Sequence, residues 1–283
     1  MRNVPFHQVD VFSATAYKGN PLAVIAEADG LDDATMKAIA NWTNLSETTF
    51  LLRPTDPSAD YRVRIFTPQR ELPFAGHPTL GTCHVWLALG GKQRGEHVVQ
   101  ECGAGLVRIK RNGAGEKMRL AFAAPPQRRS GEVEPELLAR IAQSLGIPGD
   151  AILKSQWIDN GPGWVAVMLR SRSEVLNLRF DAAALQGNQP LGVVAPCDRA
   201  KDDTDADFEV RAFMWSGAED PVTGSLNASL AQWLIGAKIA PKQYVAAQGT
   251  VLGRAGRVHV AEDGEIIWIG GDVTTCVSGT IRI

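Results

Sequence analysis

The chain carries one residue pattern twice, and this internal repeat constrains its fold more than any other feature of the sequence. Residues 59–66 read ADYRVRIF and residues 206–213 read ADFEVRAF, so five of eight positions are identical at an offset of 147 (206 minus 59). Three further pairs of segments match in the same order: 21–24 with 164–167, 76–81 with 219–224, and 107–113 with 258–264. Such a repeat predicts two copies of one unit, with loop insertions accounting for small differences in offset.

Length and composition agree with two globular units. The 283 residues suit two domains of about 140 residues each, and 45% apolar residues with a net charge of −2 are typical of a folded chain. This charge balance argues against a nucleic-acid partner, because phosphate binding needs an excess of Lys and Arg. The first residues, MRNVPFHQVDVF, show no secretory signal, and no apolar run is long enough for a membrane span. We therefore expect a cytoplasmic protein with no membrane partner.

The cysteines and histidines form no pattern typical of a disulfide framework or a metal site. The four cysteines are far apart and include no C-x-x-C pair, which predicts reduced thiols. The five histidines show no H-E-x-x-H spacing. We therefore expect no metal site.

Each copy shows the same order of predicted elements: two strands, a short helix, a third strand, the V-R-x-F strand and a longer helix. The predicted strands are Gln8–Phe12, Leu22–Ala26, Thr48–Leu52, Ile152–Ile158, Trp164–Leu169 and Leu191–Ala195. The predicted helices are Asp32–Trp42, Pro78–Leu89, Asp181–Gln186 and Pro221–Ile235, of which the last three are followed by Gly90, Gly187 and Gly236. Proline at the first position and glycine just past the end are typical of the two long helices. Hairpins with Asn-Gly and Asp-Gly turns close each copy.

The repeat and the element order predict an α+β protein with two pseudo-symmetric domains. In each domain, mostly antiparallel strands would wrap around one long central helix. Residues 123–131, rich in proline and polar residues, are typical of a linker. We expect an N-terminal domain over residues 1–124, to which a terminal strand near 275–283 can return, and a C-terminal domain over residues 132–274.

The unusual residues of each copy lie in the loop before the long helix. Two similar domains would leave a cleft between them, and such clefts are favoured ligand sites. A helix N-terminus attracts anions, because its first N–H groups lack partners within the helix. Two such ends could hold a small carboxylate, and Gly81 and Gly224 would let it approach the backbone closely.

Several motifs in a fixed order carry a resemblance to a known family. Residues 44–50 read NLSETTF, residues 66–81 read FTPQRELPFAGHPTLG, and residues 217–225 read GAEDPVTGS. With VDVF at 9–12 and GNP at 19–21, these segments resemble the motifs of the PhzF-like family, named for phenazine biosynthesis. The resemblance covers essentially the whole chain.

This resemblance implies the diaminopimelate epimerase-like fold, with the active site between the two halves and with no cofactor or metal. It implies a homodimeric isomerase that moves a hydrogen within a small carboxylic acid, as the founding member does with trans-2,3-dihydro-3-hydroxyanthranilate. By the same resemblance, Glu47 is the acid/base, and His77 and Asp220 are its supporting polar residues. Four residues are assigned to substrate binding: Gly76, Thr223, Gly224 and Ser225.

The two copies differ in one carboxylate. Glu47 has no counterpart in the second copy, where residues 190–193 read PLGV. This asymmetry suits a reaction with a single proton carrier, whose pKa must lie near the working pH. The related epimerases use two cysteines, one in each half. This chain has His77 and Asp220 at those loops, so a two-thiol mechanism is not available.

Local sequence leaves simpler interpretations of these residues open. Asp220 could cap the helix that follows it, and His77 could be a turn residue. Ser225 could be only a hydroxyl in the first turn of a helix. His84 and His97 are interpreted as structural.

Two other functions are weighed against the isomerase. The first is a protein that binds a small molecule on the same fold without converting it. The second is a hydrolase using Ser225 or Cys83, although the chain contains no G-x-S-x-G segment. Substrate specificity would reside on side chains outside the motifs, such as Arg64, Arg211 and Trp215.

Overall fold

The computed structural model describes residues 2–113, 118–185 and 189–283. The chain divides into two compact units, of which the first comprises Met1–Ala123 with Gly270–Ile283 and the second comprises Ala124–Ile269. The first part of the chain forms β1 (Asn3–Val11), β2 (Asn20–Ile25), α1 (Asp33–Thr43), β3 (Thr48–Leu52), β4 (Tyr61–Phe66), β5 (Glu71–Leu72), α2 (Gly76–Ala88), β6 (Val98–Cys102), β7 (Gly105–Asn112) and β8 (Arg119–Ala123). The rest forms β9 (Arg129–Gly131), α3 (Pro135–Leu145), β10 (Lys154–Asp159), β11 (Val165–Met168), α4 (Arg172–Asn177), β12 (Leu191–Pro196), β13 (Phe208–Phe213), β14 (Glu219–Asp220), α5 (Gly224–Gly236), β15 (Gln243–Gln248), β16 (Gly256–Asp263), β17 (Ile266–Gly271) and β18 (Val273–Arg282).

Both units have the same strand topology. In the first unit, β1 pairs antiparallel with β2, β2 parallel with β3, β3 antiparallel with β4, β4 parallel with β6, and β6 antiparallel with β7. The second unit repeats this order with β10, β11, β12, β13, β15 and β16. An antiparallel strand adds to the first strand of each series, β18 to β1 and β9 to β10. The α+β class with two similar, mostly antiparallel halves is therefore confirmed.

Each unit has one helix that is buried on nearly every side. In α2, nine residues from Gly76 to Val85 are buried, and in α5 nine residues from Gly224 to Leu234 are buried. A helix that is apolar all round belongs in a core, because no face favours contact with water. Gly81 permits the close packing of α2, since a Cβ atom there would lie 2.5 Å from Leu22 Cδ2.

The two central helices begin at other residues than expected. Helix α2 begins at Gly76, two residues before Pro78, because the first turn tolerates a residue that has no N–H group. Helix α5 begins at Gly224, three residues after Pro221, because Glu219 and Asp220 pair with β13 instead. The prediction of proline at the first helical position was therefore wrong for both helices.

Two further predictions in the second unit need correction. The short helix lies at Arg172–Asn177, whereas residues 182–185 form turns, and Gln186 and Gly187 lie outside the described residues. Ser171 caps this helix by accepting a hydrogen bond from the Glu174 N–H group, a capping signal that outweighs the aspartate at 181. The expected linker is shorter than 123–131, since residues 129–131 pair with β10.

Candidate active site

Glu47 and His77 lie side by side in the first unit. Glu47 directly precedes β3. Helix α1 ends at Thr43, and its C-cap Asn44 is in the left-handed conformation with φ of 53°. His77 is the second residue of α2. The Glu47 Oε2 atom lies 3.3 Å from His77 Nε2, and the two side chains are 15% and 6% exposed. The structure thus brings together two residues that are 30 positions apart in the sequence (77 minus 47).

The other ring nitrogen of His77 faces Asn20, the first residue of β2. Asn20 Nδ2 lies 3.5 Å from His77 Nδ1, and both residues are buried. The segment before Asn20 is held in place, because the Gly19 N–H group donates to the buried Asp10 carboxylate over 2.8 Å. A Cβ atom at Gly19 would lie 2.2 Å from the Val11 carbonyl oxygen, so this approach needs glycine. The sequence interpretation missed Asn20 as a site residue, although GNP was one of its motif segments.

The imidazole of His77 is neutral at neutral pH. Although Glu47 is close enough for an ion pair, burial lowers the pKa of His77 from 6.5 to about 3, because desolvation penalises the charged ring. Burial outweighs the attraction of the nearby carboxylate, because His77 is almost completely shielded from water. A neutral ring carries one N–H group, so it can donate at one nitrogen only.

The two central helices share unusual N-termini. Neither Ala75 before α2 nor Thr223 before α5 caps its helix with a side chain, and neither first turn contains an acidic residue. By contrast, α1 and α4 are capped by Asp32 and Ser171, and each has an acidic residue in its first turn. The partial positive charge at the N-terminus of each central helix is therefore not compensated by the helix itself.

In the second unit, Asp220 belongs to a buried hydrogen-bond network. Gln248, the last residue of β15, donates through Nε2 to Thr223 Oγ1 over 2.9 Å and to the Asp220 carbonyl over 3.0 Å. Because Thr223 Oγ1 accepts from Gln248, its own proton points to Asp220 Oδ2. Gln248 Oε1 accepts from the Thr223 N–H group at 3.0 Å and from Asn227 Nδ2 at 2.8 Å. Asp220 lies in β14, so its interpretation as a helix cap was wrong.

The first unit contains the counterpart of this network. Gln100 on β6 donates through Nε2 to Thr79 Oγ1 over 3.0 Å, and Thr79 donates to the Ala75 carbonyl over 2.9 Å. Tyr61 donates its hydroxyl to Gln100 Oε1. Both glutamines are fully buried and lie 148 positions apart (248 minus 100). The repeat offset would have paired them, but no local motif marks either glutamine.

The remaining predicted binding residues lie at the starts of the two central helices. Gly76 and Gly224 are buried first residues of α2 and α5. Ser225 Oγ accepts from Trp164 Nε1 over 3.1 Å, and its carbonyl accepts from Asn160 Nδ2 over 3.0 Å. Gly81 contacts core side chains, so its expected role in substrate approach is corrected to helix packing.

Two of the suggested specificity residues have a structural role. Arg64 forms a bidentate ion pair with Glu71, and Arg211 forms the equivalent pair with Glu219. These pairs join β4 to β5 and β13 to β14, so both arginines are engaged within their own sheets. Trp215 is 44% exposed. The structural interpretation of His84 is supported by its Nε2 atom, which lies 2.9 Å from Thr275 Oγ1.

The described parts of the chain contain no group of three or more His, Cys, Asp or Glu side chains placed to bind a metal ion. Across the same residues, no helix has both the length and the apolar character needed to cross a bilayer. The four cysteines are free thiols, of which Cys83 and Cys102 are buried. Burial raises the pKa of Cys83 to about 12, which makes it a poor nucleophile and weakens the hydrolase alternative.

Comparisons with known proteins agree with this fold. A family model described as phenazine biosynthesis-like protein matches residues 9–279. The chain is 35% identical to antisense-enhancing sequence 1 of Schizosaccharomyces pombe, over 97% of both proteins. It is 33% identical to trans-2,3-dihydro-3-hydroxyanthranilate isomerase of Pseudomonas aeruginosa, over 90% of this chain and 89% of that protein. A crystal structure of a PhzF family protein from Enterococcus faecalis superposes over all of both chains with a TM-score of 0.81 at 25% identity.

The fold and the named relatives define the class of this protein as an isomerase with a diaminopimelate epimerase-like fold. Within that class, the chain belongs to the phenazine biosynthesis-like, or PhzF, family. The predicted family, fold and enzyme class are therefore confirmed. A binding protein that lacks activity is not favoured by relatives named as isomerases.

Proposed function

We propose that the protein isomerises a small, unsaturated carboxylic acid by moving one proton between two carbons, with Glu47 as the proton carrier. The carboxylate would remove the proton from one carbon and return it to another, so the substrate gains and loses no atoms. The main support for this proposal is the contact of Glu47 with the buried, neutral His77. A neutral imidazole does not offset the charge of the carboxylate as a cation would, so Glu47 stays available as a base.

The named relative and the helix ends support this substrate class. The relative from Pseudomonas aeruginosa is named for trans-2,3-dihydro-3-hydroxyanthranilate, a cyclic unsaturated acid. The first turns of α2 and α5 carry no acidic side chain and no side-chain cap, which suits the binding of a carboxylate. Two assignments stay predictions of the sequence: Asp220 as a residue that supports Glu47, and the binding of substrate by Gly76, Thr223, Gly224 and Ser225.

Several wider properties of this isomerase belong to the same proposal. The enzyme works without a cofactor or metal, which predicts full activity after dialysis against a chelator. It is a cytoplasmic homodimer, which predicts twice the chain mass of 30.5 kDa by light scattering. Four free thiols are consistent with a reducing compartment.

The test uses trans-2,3-dihydro-3-hydroxyanthranilate as the first substrate, followed by other cyclic unsaturated carboxylic acids. Proton NMR in heavy water would follow the position of each hydrogen during turnover. A product with a hydrogen or deuterium at a new carbon supports the proposal. Unchanged spectra for every acid, with folded enzyme, would overturn the proposed substrate class.

A further inference from the structure

Three side chains of the first unit form a row, of which Asn20 and His77 are buried and Glu47 is partly exposed. Asn20 Nδ2 lies 3.5 Å from one nitrogen of the His77 ring, and Glu47 Oε2 lies 3.3 Å from the other. The ring therefore connects a neutral amide to the proposed proton carrier. Only His77 and Glu47 of this row carry a function in the proposed mechanism.

A neutral imidazole in this row has two hydrogen arrangements. If the Asn20 amide donates to Nδ1, the ring proton lies on Nε2, the nitrogen 3.3 Å from Glu47 Oε2, and the ring then favours Glu47 as a carboxylate. If Asn20 were turned to accept at its oxygen, the ring proton would lie on Nδ1. Nε2 would then be an acceptor, which suits Glu47 only as a protonated acid. The orientation of one amide thus decides which charge state of Glu47 the ring favours.

The amide nitrogen of Asn20 faces the ring, which selects the first arrangement. We propose that Asn20 is a positioning residue that holds His77 in the Nε2–H tautomer and so keeps Glu47 ready as a carboxylate base. This inference rests on the proposed function only for the role of Glu47. The tautomer itself is a property of the resting protein.

Asn20 is well placed to hold this orientation. Its side chain is fully buried, so water does not compete for the ring nitrogen. Its backbone lies in β2 opposite Val11 of β1, and the preceding Gly19 is bonded to the Asp10 carboxylate. The position of the amide relative to α2 is therefore set by the sheet.

The test is the ¹⁵N spectrum of the histidine side chains of the full chain at pH 7, where the two ring nitrogens of each tautomer differ in shift. The His77→Gln variant identifies the His77 signals. We expect the Nε2–H tautomer in the unmodified protein. A protonated Nδ1 there would overturn the proposal, and this measurement needs no variant at Asn20 to fold.

Two substitutions extend the test. Asn20→Asp places a carboxylate beside Nδ1, so we expect Nδ1 to become protonated and kcat to fall on the order of 10- to 100-fold, as for other residues that orient a reacting group. Asn41→Asp is the matched control, since Asn41 is exposed on α1 and should leave both the spectrum and the rate unchanged. An unchanged tautomer in folded Asn20→Asp would contradict the role of Asn20.

The two proposals fail separately. If Glu47→Gln retains full activity, the proposed proton carrier is wrong, whatever the tautomer of His77. If Glu47→Gln is inactive but His77 carries its proton on Nδ1, the proton carrier stands and the role of Asn20 is refuted.

Discussion

Gln248 Nε2 donates to the hydroxyl of Thr223 across 2.9 Å, and Gln100 makes the same bond to Thr79 in the other unit. Each glutamine lies on a strand beside the V-R-x-F strand, and each threonine lies at the start of a central helix. The duplicated bond fixes the start of the central helix to the sheet in both units. In the second unit it also orients Asp220, because the Thr223 hydroxyl donates a hydrogen bond to that carboxylate.

Replacing Gln248 with Leu is expected to destabilise the protein by about 2–4 kcal/mol. The Thr223 N–H group and the Asn227 amide would lose their common acceptor, and an unsatisfied buried polar group costs about 1–3 kcal/mol. Urea denaturation measures the loss. Gln243→Leu, on the exposed end of the same strand, should change stability by less than about 0.5 kcal/mol. Equal effects of the two substitutions would refute the importance of this network.

Stability should depend on pH through His77. Because the pKa of His77 is lower in the folded chain, its ring binds a proton in the unfolded chain but not in the folded chain between about pH 3 and 6.5. Stability therefore rises with pH across this window, by up to about 1.4 kcal/mol per pH unit, and this contribution is constant above it. Denaturation of the unmodified protein and of His77→Gln at several pH values gives the difference. Parallel pH profiles for the two proteins would contradict a neutral buried ring.

The equivalent ion pairs of the two units should contribute differently to the free energy of unfolding. Arg211 and Glu219 are 6% and 10% exposed, and Arg211 also donates to the carbonyls of Val175 and Leu178. Arg211→Met would leave Glu219 buried without its partner, so we expect a loss of about 3–5 kcal/mol. Arg64→Met should cost about 1 kcal/mol or less, because Glu71 is 40% exposed. Similar losses for both variants would show that burial does not determine the strength of these pairs.

Gly81→Ala should destabilise the first unit by about 1–3 kcal/mol through overpacking. The added methyl group would lie 2.5 Å from Leu22 Cδ2 and 3.0 Å from Val11 Cγ2. Gly95→Ala is the control, because no atom lies within 4 Å of its added Cβ. A Gly81→Ala protein as stable as the control would show that α2 can move away from the sheet at little cost.

The sequence predicted the class of fold because its repeat is long and ordered. The strand Thr48–Leu52 was predicted with its observed ends, and Leu191–Ala195 fell one residue short. The parallel pairs, such as β2 with β3, could not be derived, because alternation along a strand is the same for either direction of its partner. Helix starts failed where strand pairing competed, as at Glu219 and Asp220.

The sequence predicted only those residues of the candidate site that lie within recognisable motifs. Glu47 and His77 stand within the motif segments, and the structure brings them into contact. Gln248 bonds to a residue 25 positions away, and that relation has no signature in the local sequence. Arg64 and Arg211 looked available for substrate because the sequence does not show that Glu71 and Glu219 face them across neighbouring strands.

The most direct test of Glu47 as the proton carrier is the rate at which Glu47→Gln isomerises the substrate that the unmodified enzyme converts. Glu96→Gln, an exposed carboxylate in the same unit, is the matched control. We predict a rate for Glu47→Gln that is about 10²- to 10⁴-fold lower, with an unchanged circular dichroism spectrum, and a control at the original rate. A folded Glu47→Gln enzyme that turns over as fast as Glu96→Gln would contradict the role of Glu47 as the proton carrier.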